Sequence, residues 1–180
     1  MITISLFLSC KINGDQNNSR YDLKPSVIKF QVKTDNPEDL EIFEDGIIPW
    51  ISIKNPKNEI DNLIGKTELV IKSKVVILVI DYPLIKPVEI KVKTSQKNGF
   101  TRQYLIERIS AEYNRIYKEE EESALTKTIP IEEREGLINR NKTNGKYGIW
   151  GHDIDDLDLS SIIVRKKAGG KLVLELIVES

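Results

Sequence analysis

One cysteine, one histidine and one methionine are all that 180 residues contain of those types. A single cysteine, Cys10, excludes an internal disulfide and any metal site built from several thiolates. A single histidine, His152, excludes the multi-histidine centres that hold zinc or iron. Net charge is missing too. The 27 basic and 28 acidic side chains leave −1, so no global field draws in nucleic acid or an anionic surface. The basic run Arg165-Lys166-Lys167 reads as a solvated strand end rather than a phosphate clamp. Long apolar runs are also absent: nothing approaches the roughly 20 residues of a membrane-spanning helix.

What is present suits one domain of ordinary size. Hydrophobic residues make up 39% and charged residues 31%, enough for a core under a highly charged surface. The start, "MITISLFLSC", is apolar up to Ser9-Cys10, and the polar, aperiodic "KINGDQNNSR" follows. It resembles the end of a bacterial lipoprotein signal peptide, in which a cysteine after a small residue is lipidated. That resemblance implies residues 1–20 as anchor remnant and tether, with Cys10 as the attachment point. The same residues also alternate as a strand would, with Ile2, Ile4, Leu6 and Leu8 on one parity.

From residue 21 a single α+β domain is expected, with residues 21–66 as an N-terminal extension and 67–180 as its core. Val27 to Lys33 alternates, turning Ile28, Phe30 and Val32 inward. Asn36 or Asp35 can cap a short helix begun by Pro37 and stopped by Gly46. Thr67 to Asp81 reads as one strand apolar on both faces, and "VEIKVKT" returns beside it as a hairpin. Thr101 caps the best helix. Its residues Leu105, Ile109, Tyr113 and Ile116 recur at steps of four, four and three, with Glu107, Arg108, Glu112 and Arg115 toward water. The run Glu119-Glu120-Glu121-Glu122 opposes the helix dipole, which predicts fraying there. After a long polar connection, "SSIIVRKK" and "KLVLELIVE" close the chain around Gly169-Gly170. The expected fold is two-layer, with one main helix across a mixed or antiparallel sheet. Its element order is similar to the β-grasp arrangement of ubiquitin-like domains, where the last strand pairs beside the first.

Few motifs point to chemistry. "IGKT" at Ile64–Thr67 ends like a phosphate-binding loop, but Ile60 stands where that loop needs glycine. Asp153, Asp155, Asp156 and Asp158 fail the calcium-loop pattern, with Leu157 and Asp158 at the wrong positions. No serine lies in a G-x-S-x-G turn to pair with His152. The stretch Lys146 to Ser161, "KYGIWGHDIDDLDLSS", therefore carries the candidate site. Gly145, Gly148 and Gly151 mark an unusual backbone, and Tyr147, Ile149 and Trp150 read as apolar anchors. Asp153 can cap a short turn that leaves Asp155, Asp156 and Asp158 in water.

Three stretches, "PWISIKNP", the segment from Val75 to Glu122 and "NGKYGIWGHDIDDLDLSSI", resemble a group of uncharacterised bacterial proteins. These share a Y-P turn, a G-F-T-R helix start and a G-K-Y-G-I-W-G-H-D signature. The resemblance covers Pro49 to Ile163 and implies no catalytic residues. It groups Tyr147, Trp150, Gly151, His152 and Asp153 in one recurring unit. The expected function is a non-enzymatic, envelope-associated protein-binding or assembly module, with another protein as partner, no nucleic acid and no cofactor or metal. The alternative is a small-ligand receptor or hydrolase-type enzyme using Trp150, His152 and Asp153, with Tyr147 and Asp155 beside them. A deep pocket at His152 would favour the alternative, and a flat apolar surface or free sheet edge the module.

Overall fold

The structure, a computed structural model, describes residues 24–136 and 139–180. Cys10 and the tether after it lie outside the described residues. The described chain runs β1 (Ser26–Lys29), β2 (Val32–Lys33), α1 (Pro37–Leu40), β3 (Ile47–Ile48), β4 (Ile51–Ser52) and β5 (Leu69–Ile71). It continues through β6 (Val75–Ile80), β7 (Val88–Lys93), β8 (Phe100–Thr101), α2 (Arg102–Ser123), β9 (Asp158–Lys166) and β10 (Leu172–Glu179).

The main sheet has the order β1-β9-β10-β6-β7, with β4 also on β9. Only β10 and β6 pair parallel, Leu174 opposite Leu78, among otherwise antiparallel neighbours in this sheet. The fold is thus a two-layer α+β arrangement on a mixed sheet. The final strand lies beside and parallel to β6, the first strand of the central hairpin.

One sheet face carries the core. Val76, Leu78 and Ile80 of β6 are buried while Val75, Ile77 and Val79 on the other parity are half-buried. Their register partners continue the buried face: Val92 on β7, Leu174 on β10 and Ile162 on β9. The stripe Leu105, Ile109, Tyr113 and Ile116 of α2 is fully enclosed in the same cluster, as its helical spacing predicts. Thr101 caps the helix, its Oγ1 accepting from the Tyr104 N–H at 3.3 Å. Ile28, Phe30, Val32, Ile51 and Ile53 of the extension share this core, and Asn36 caps α1 through Glu38 N–H as expected.

Three expectations are corrected. Thr67 to Asp81 is two strands, not one. Ser73 bonds the Val75 backbone through its Oγ, so the chain bends there and β5 leaves to pair with β8. Gly99 permits that pairing: a Cβ at its φ of +131° would stand 2.0 Å from the Ile71 carbonyl oxygen. Glu112 is buried rather than solvated, its carboxylate taken by Arg108 at 3.1 Å and Arg115 at 2.9 Å. Finally, the acidic end of α2 does not fray. The helix continues to Ser123, and Glu120 is entirely buried.

Candidate functional site

Glu120 explains the glycine-rich loop. Its Oε1 accepts from Thr143 Oγ1 at 2.6 Å and from Gly145 N–H at 2.8 Å. Its Oε2 accepts from the N–H groups of Tyr147 at 2.7 Å and Gly148 at 3.1 Å. A chain can aim several amides at one carboxylate only if it curls tightly around it. At Gly145 a Cβ would stand 2.7 Å from the Glu120 carbonyl oxygen and from Ser123 Oγ, and Gly148 sits at φ +68°. Burial alone would push the Glu120 carboxyl up. The Thr143 hydroxyl and the N–H groups of Tyr147, Gly145 and Gly148 more than offset it and hold it down at about 2. Glu119, one residue earlier, is held down at about 2 by Lys146, the Tyr147 hydroxyl and Arg115.

Beyond this anchor the backbone runs along the segment before β7. Ile85 N–H donates to Gly148 O at 2.9 Å, Lys86 N–H to Tyr147 O at 3.0 Å and Trp150 N–H to Pro83 O at 3.2 Å. Side chains alternate. Tyr147 and Ile149 are buried, Tyr147 with its hydroxyl on Glu119 of α2, while Trp150 is exposed and His152 half-buried. Trp150 is 42% exposed and its ring meets Tyr82 edge-on at 5.6 Å. It is therefore not the buried anchor that the sequence suggests: the alternation begun at Tyr147 puts it outside. The His152 ring lies 5.7 Å from Tyr82 and 6.4 Å from Trp150, and Ile85 is exposed nearby through its contact with Gly148. Tyr82, Trp150 and His152 form an aromatic cluster, half-buried at Tyr82 and His152 and exposed at Trp150, and the exposed Ile85 flanks it beside Gly148. Tyr147 does not join it, lying beneath with its hydroxyl on Glu119.

Asp153 faces elsewhere. Its carboxylate takes Arg134 Nη1 at 2.6 Å and Arg140 Nη1 at 3.4 Å, both from side chains almost fully buried. Arg140 lies over the Tyr117 ring at 5.2 Å, and its Nε and Nη2 find no partner among the described residues. Burial raises the Tyr117 hydroxyl pKa, so it stays protonated and donates to His152 O at 3.0 Å. Asp153 heads a short turn, Ile154–Asp156, where Asp156 Oδ2 accepts Asp153 N–H at 2.9 Å. Asp155 is exposed and paired with Lys54, away from the aromatic rings. Asp158 is not in water as expected. Opening β9 opposite Ser52, it is half-buried near Glu59, and desolvation with that neighbouring charge pushes its carboxyl up to about 6.

This geometry decides what the cluster can do. Asp153, the neighbour that could orient the His152 imidazole, is engaged by Arg134 and Arg140 instead. The His152 imidazole forms no hydrogen bond among the described residues. No group of three or more His, Cys, Asp or Glu among the described residues is placed to hold a metal ion. Cavities of about 410 Å³ (Val75, Ile77, Lys91 and Leu172 among its walls) and 230 Å³ (around Thr101 and Gln103) lie elsewhere, neither lined by the cluster. Tyr82, Glu120, Arg134 and Arg140 escape sequence reading. Only Glu120 leaves a signal, because glycines spaced to curl a backbone imply an anion for its amides. Comparison with protein-family models, curated proteins and solved structures finds no match for this chain.

Proposed function

We propose that this protein is a protein-binding module that docks through the patch of Tyr82, Ile85, Trp150 and His152. One observation carries the reading: a tryptophan stands 42% exposed on a loop whose backbone is pinned by a buried carboxylate. Exposed indoles on pre-ordered backbone are the usual anchors of protein interfaces, because little entropy is lost when they are covered.

The test is affinity capture from a cell-envelope extract with wild type, Trp150→Ala and Asp155→Asn. Loss of the captured protein with Trp150→Ala and its retention with Asp155→Asn is the expected result. Equal capture by all three would contradict the reading. The proposed envelope location rests on the apolar start and Cys10. No helix among the described residues is long and apolar enough to cross a membrane. Fractionation tests the location: wild type should sediment with membranes and Cys10→Ala should not. Wild type found wholly in the soluble fraction would contradict a lipid anchor.

A further inference from the structure

The main sheet ends at β7, whose second edge has no partner strand among the described residues. Its geometry shows which groups are left over. Thr94 N–H donates to Lys74 O at 3.1 Å, which makes that pair, and every second pair along the ladder, a hydrogen-bonded one. Val92, Ile90 and Val88 therefore bond to Val76, Leu78 and Ile80 of β6. Glu89, Lys91 and Lys93 aim their N–H and C=O groups off the sheet, and all three are exposed. The segment Tyr147–Trp150, lying along Leu84 to Lys86, stops short of them.

Lysines on an edge strand ordinarily repel a second strand. Here Glu89, whose carboxylate also takes Lys167 Nζ of its own chain at 3.2 Å, alternates with Lys91, and this makes one register self-complementary. In an antiparallel pair with a two-fold axis at Ile90, each Glu89 stands opposite the other copy's Lys91. Those are the residues with free backbone groups, so two such pairs exchange both their hydrogen bonds. On the opposite face Val88 meets Val92 and Ile90 meets itself, covering the half-buried Val88 and Ile90. The neighbouring register, centred on Lys91, also sets Glu89 against Lys93, but it puts Lys91 against itself, a like-charge pair that the Ile90 register lacks.

From this we infer that β7 is an interface for a second copy of this chain, joining the two sheets edge to edge in the register centred on Ile90. A six-residue strand pair is smaller than the roughly 1,200 Å² of a stable complex, so association is weak and concentration-dependent. Sedimentation equilibrium of the full chain over about 1–500 µM tests it, because a short interface places its dissociation constant within that span. The expected result is a monomer–dimer equilibrium in wild type. It should be abolished in Glu89→Lys and in Lys91→Glu and restored in the Glu89→Lys/Lys91→Glu double variant, where each opposite pair is again complementary. Trp150→Ala should dimerise like wild type, which separates this surface from the proposed binding patch. A wild type monomeric throughout would overturn the inference. So would dimers that survive either single reversal, or a double variant that stays monomeric although its melting temperature matches wild type. An extended peptide of another protein as occupant would show itself as a monomeric wild type that binds it at this edge.

Discussion

The N–H of Tyr147 donates to Oε2 of Glu120 at 2.7 Å, joining the loop before β9 to the last full turn of α2 across 27 residues of sequence. Together with the bonds from Thr143, Gly145 and Gly148 it converts a buried charge from a liability into a clamp. A carboxylate without such partners would be neutralised or excluded from the interior. The Trp150 patch depends on it, because the pinned segment from Thr143 to Gly148 leads straight into Trp150.

Acid should release the clamp. The Glu120 carboxyl is held at about 2, below its ordinary 4.5, so the folded state binds that proton less readily than the unfolded state. Its contribution is fully present above about pH 4.5 and is lost as pH falls toward 2; the shift corresponds to roughly 3 kcal/mol. Chemical denaturation at pH 7 and at acid pH should show a steep acid limb in wild type and a flatter one in Glu120→Gln. Glu120→Ala, which orphans three buried amides, should cost ~3–5 kcal/mol at pH 7.

Truncations should separate what the loop buries from what it shows. Tyr147→Ala should cost ~3–5 kcal/mol and Ile149→Ala ~2–5 kcal/mol, as buried large-to-small changes. The exposed Trp150 should cost only about 0.5–1.5 kcal/mol on replacement by alanine, chiefly its edge-on contact with Tyr82. In α2, Leu105→Ala and Ile109→Ala should each cost ~2–5 kcal/mol. Urea midpoints measure the series, and a Trp150→Ala loss as large as that of Tyr147→Ala would show the indole to be structural.

The fold was largely legible because period carries burial. The step of four, four and three in α2 buries the residues that its spacing selects, β7 turns Val88, Ile90 and Val92 to one side with only Val92 buried, and β9 and β10 pair across the Gly169-Gly170 turn. The break at Ser73 was hidden, because a side chain bonding its own neighbouring backbone leaves the apolar pattern intact. The site was half legible. The glycines of "NGKYGIWG" marked an unusual backbone, but an acidic helix end expected to fray gave no reason to turn any of Glu119 to Glu122 inward. Helical phase decides it: Glu120 follows Ile109, Tyr113 and Ile116 on the buried face. Asp153 beside His152 looked like a catalytic pair, and only the approach of Arg134 and Arg140 in space assigns it elsewhere.

Asp158 should act opposite to Glu120. Its folded-state carboxyl is raised to about 6 from 3.8, so ionisation destabilises the fold as pH rises through that window. Asp158→Asn should therefore stabilise the protein at pH 7–8 by roughly 1–2 kcal/mol, discounted for partial exposure, and the gain should vanish below about pH 4. Melting temperatures of both proteins across that range check it. A variant less stable than wild type at pH 8 would remove Asp158 as a strained charge.

The central claim is that Glu120 holds the loop that presents the binding patch. Amide hydrogen exchange by NMR at Gly145, Tyr147 and Gly148, in wild type and Glu120→Gln, addresses it most directly. Glu120→Gln keeps the size of the side chain but turns one of its two acceptor oxygens into a donor. The account predicts strong protection at these three amides in wild type. In the variant that protection should fall by orders of magnitude at the loop, while the amides of β6 and β10 keep theirs. Unchanged protection at all three amides in Glu120→Gln would contradict it, because a single amide oxygen cannot take both the Gly145 bond and the Tyr147 and Gly148 bonds.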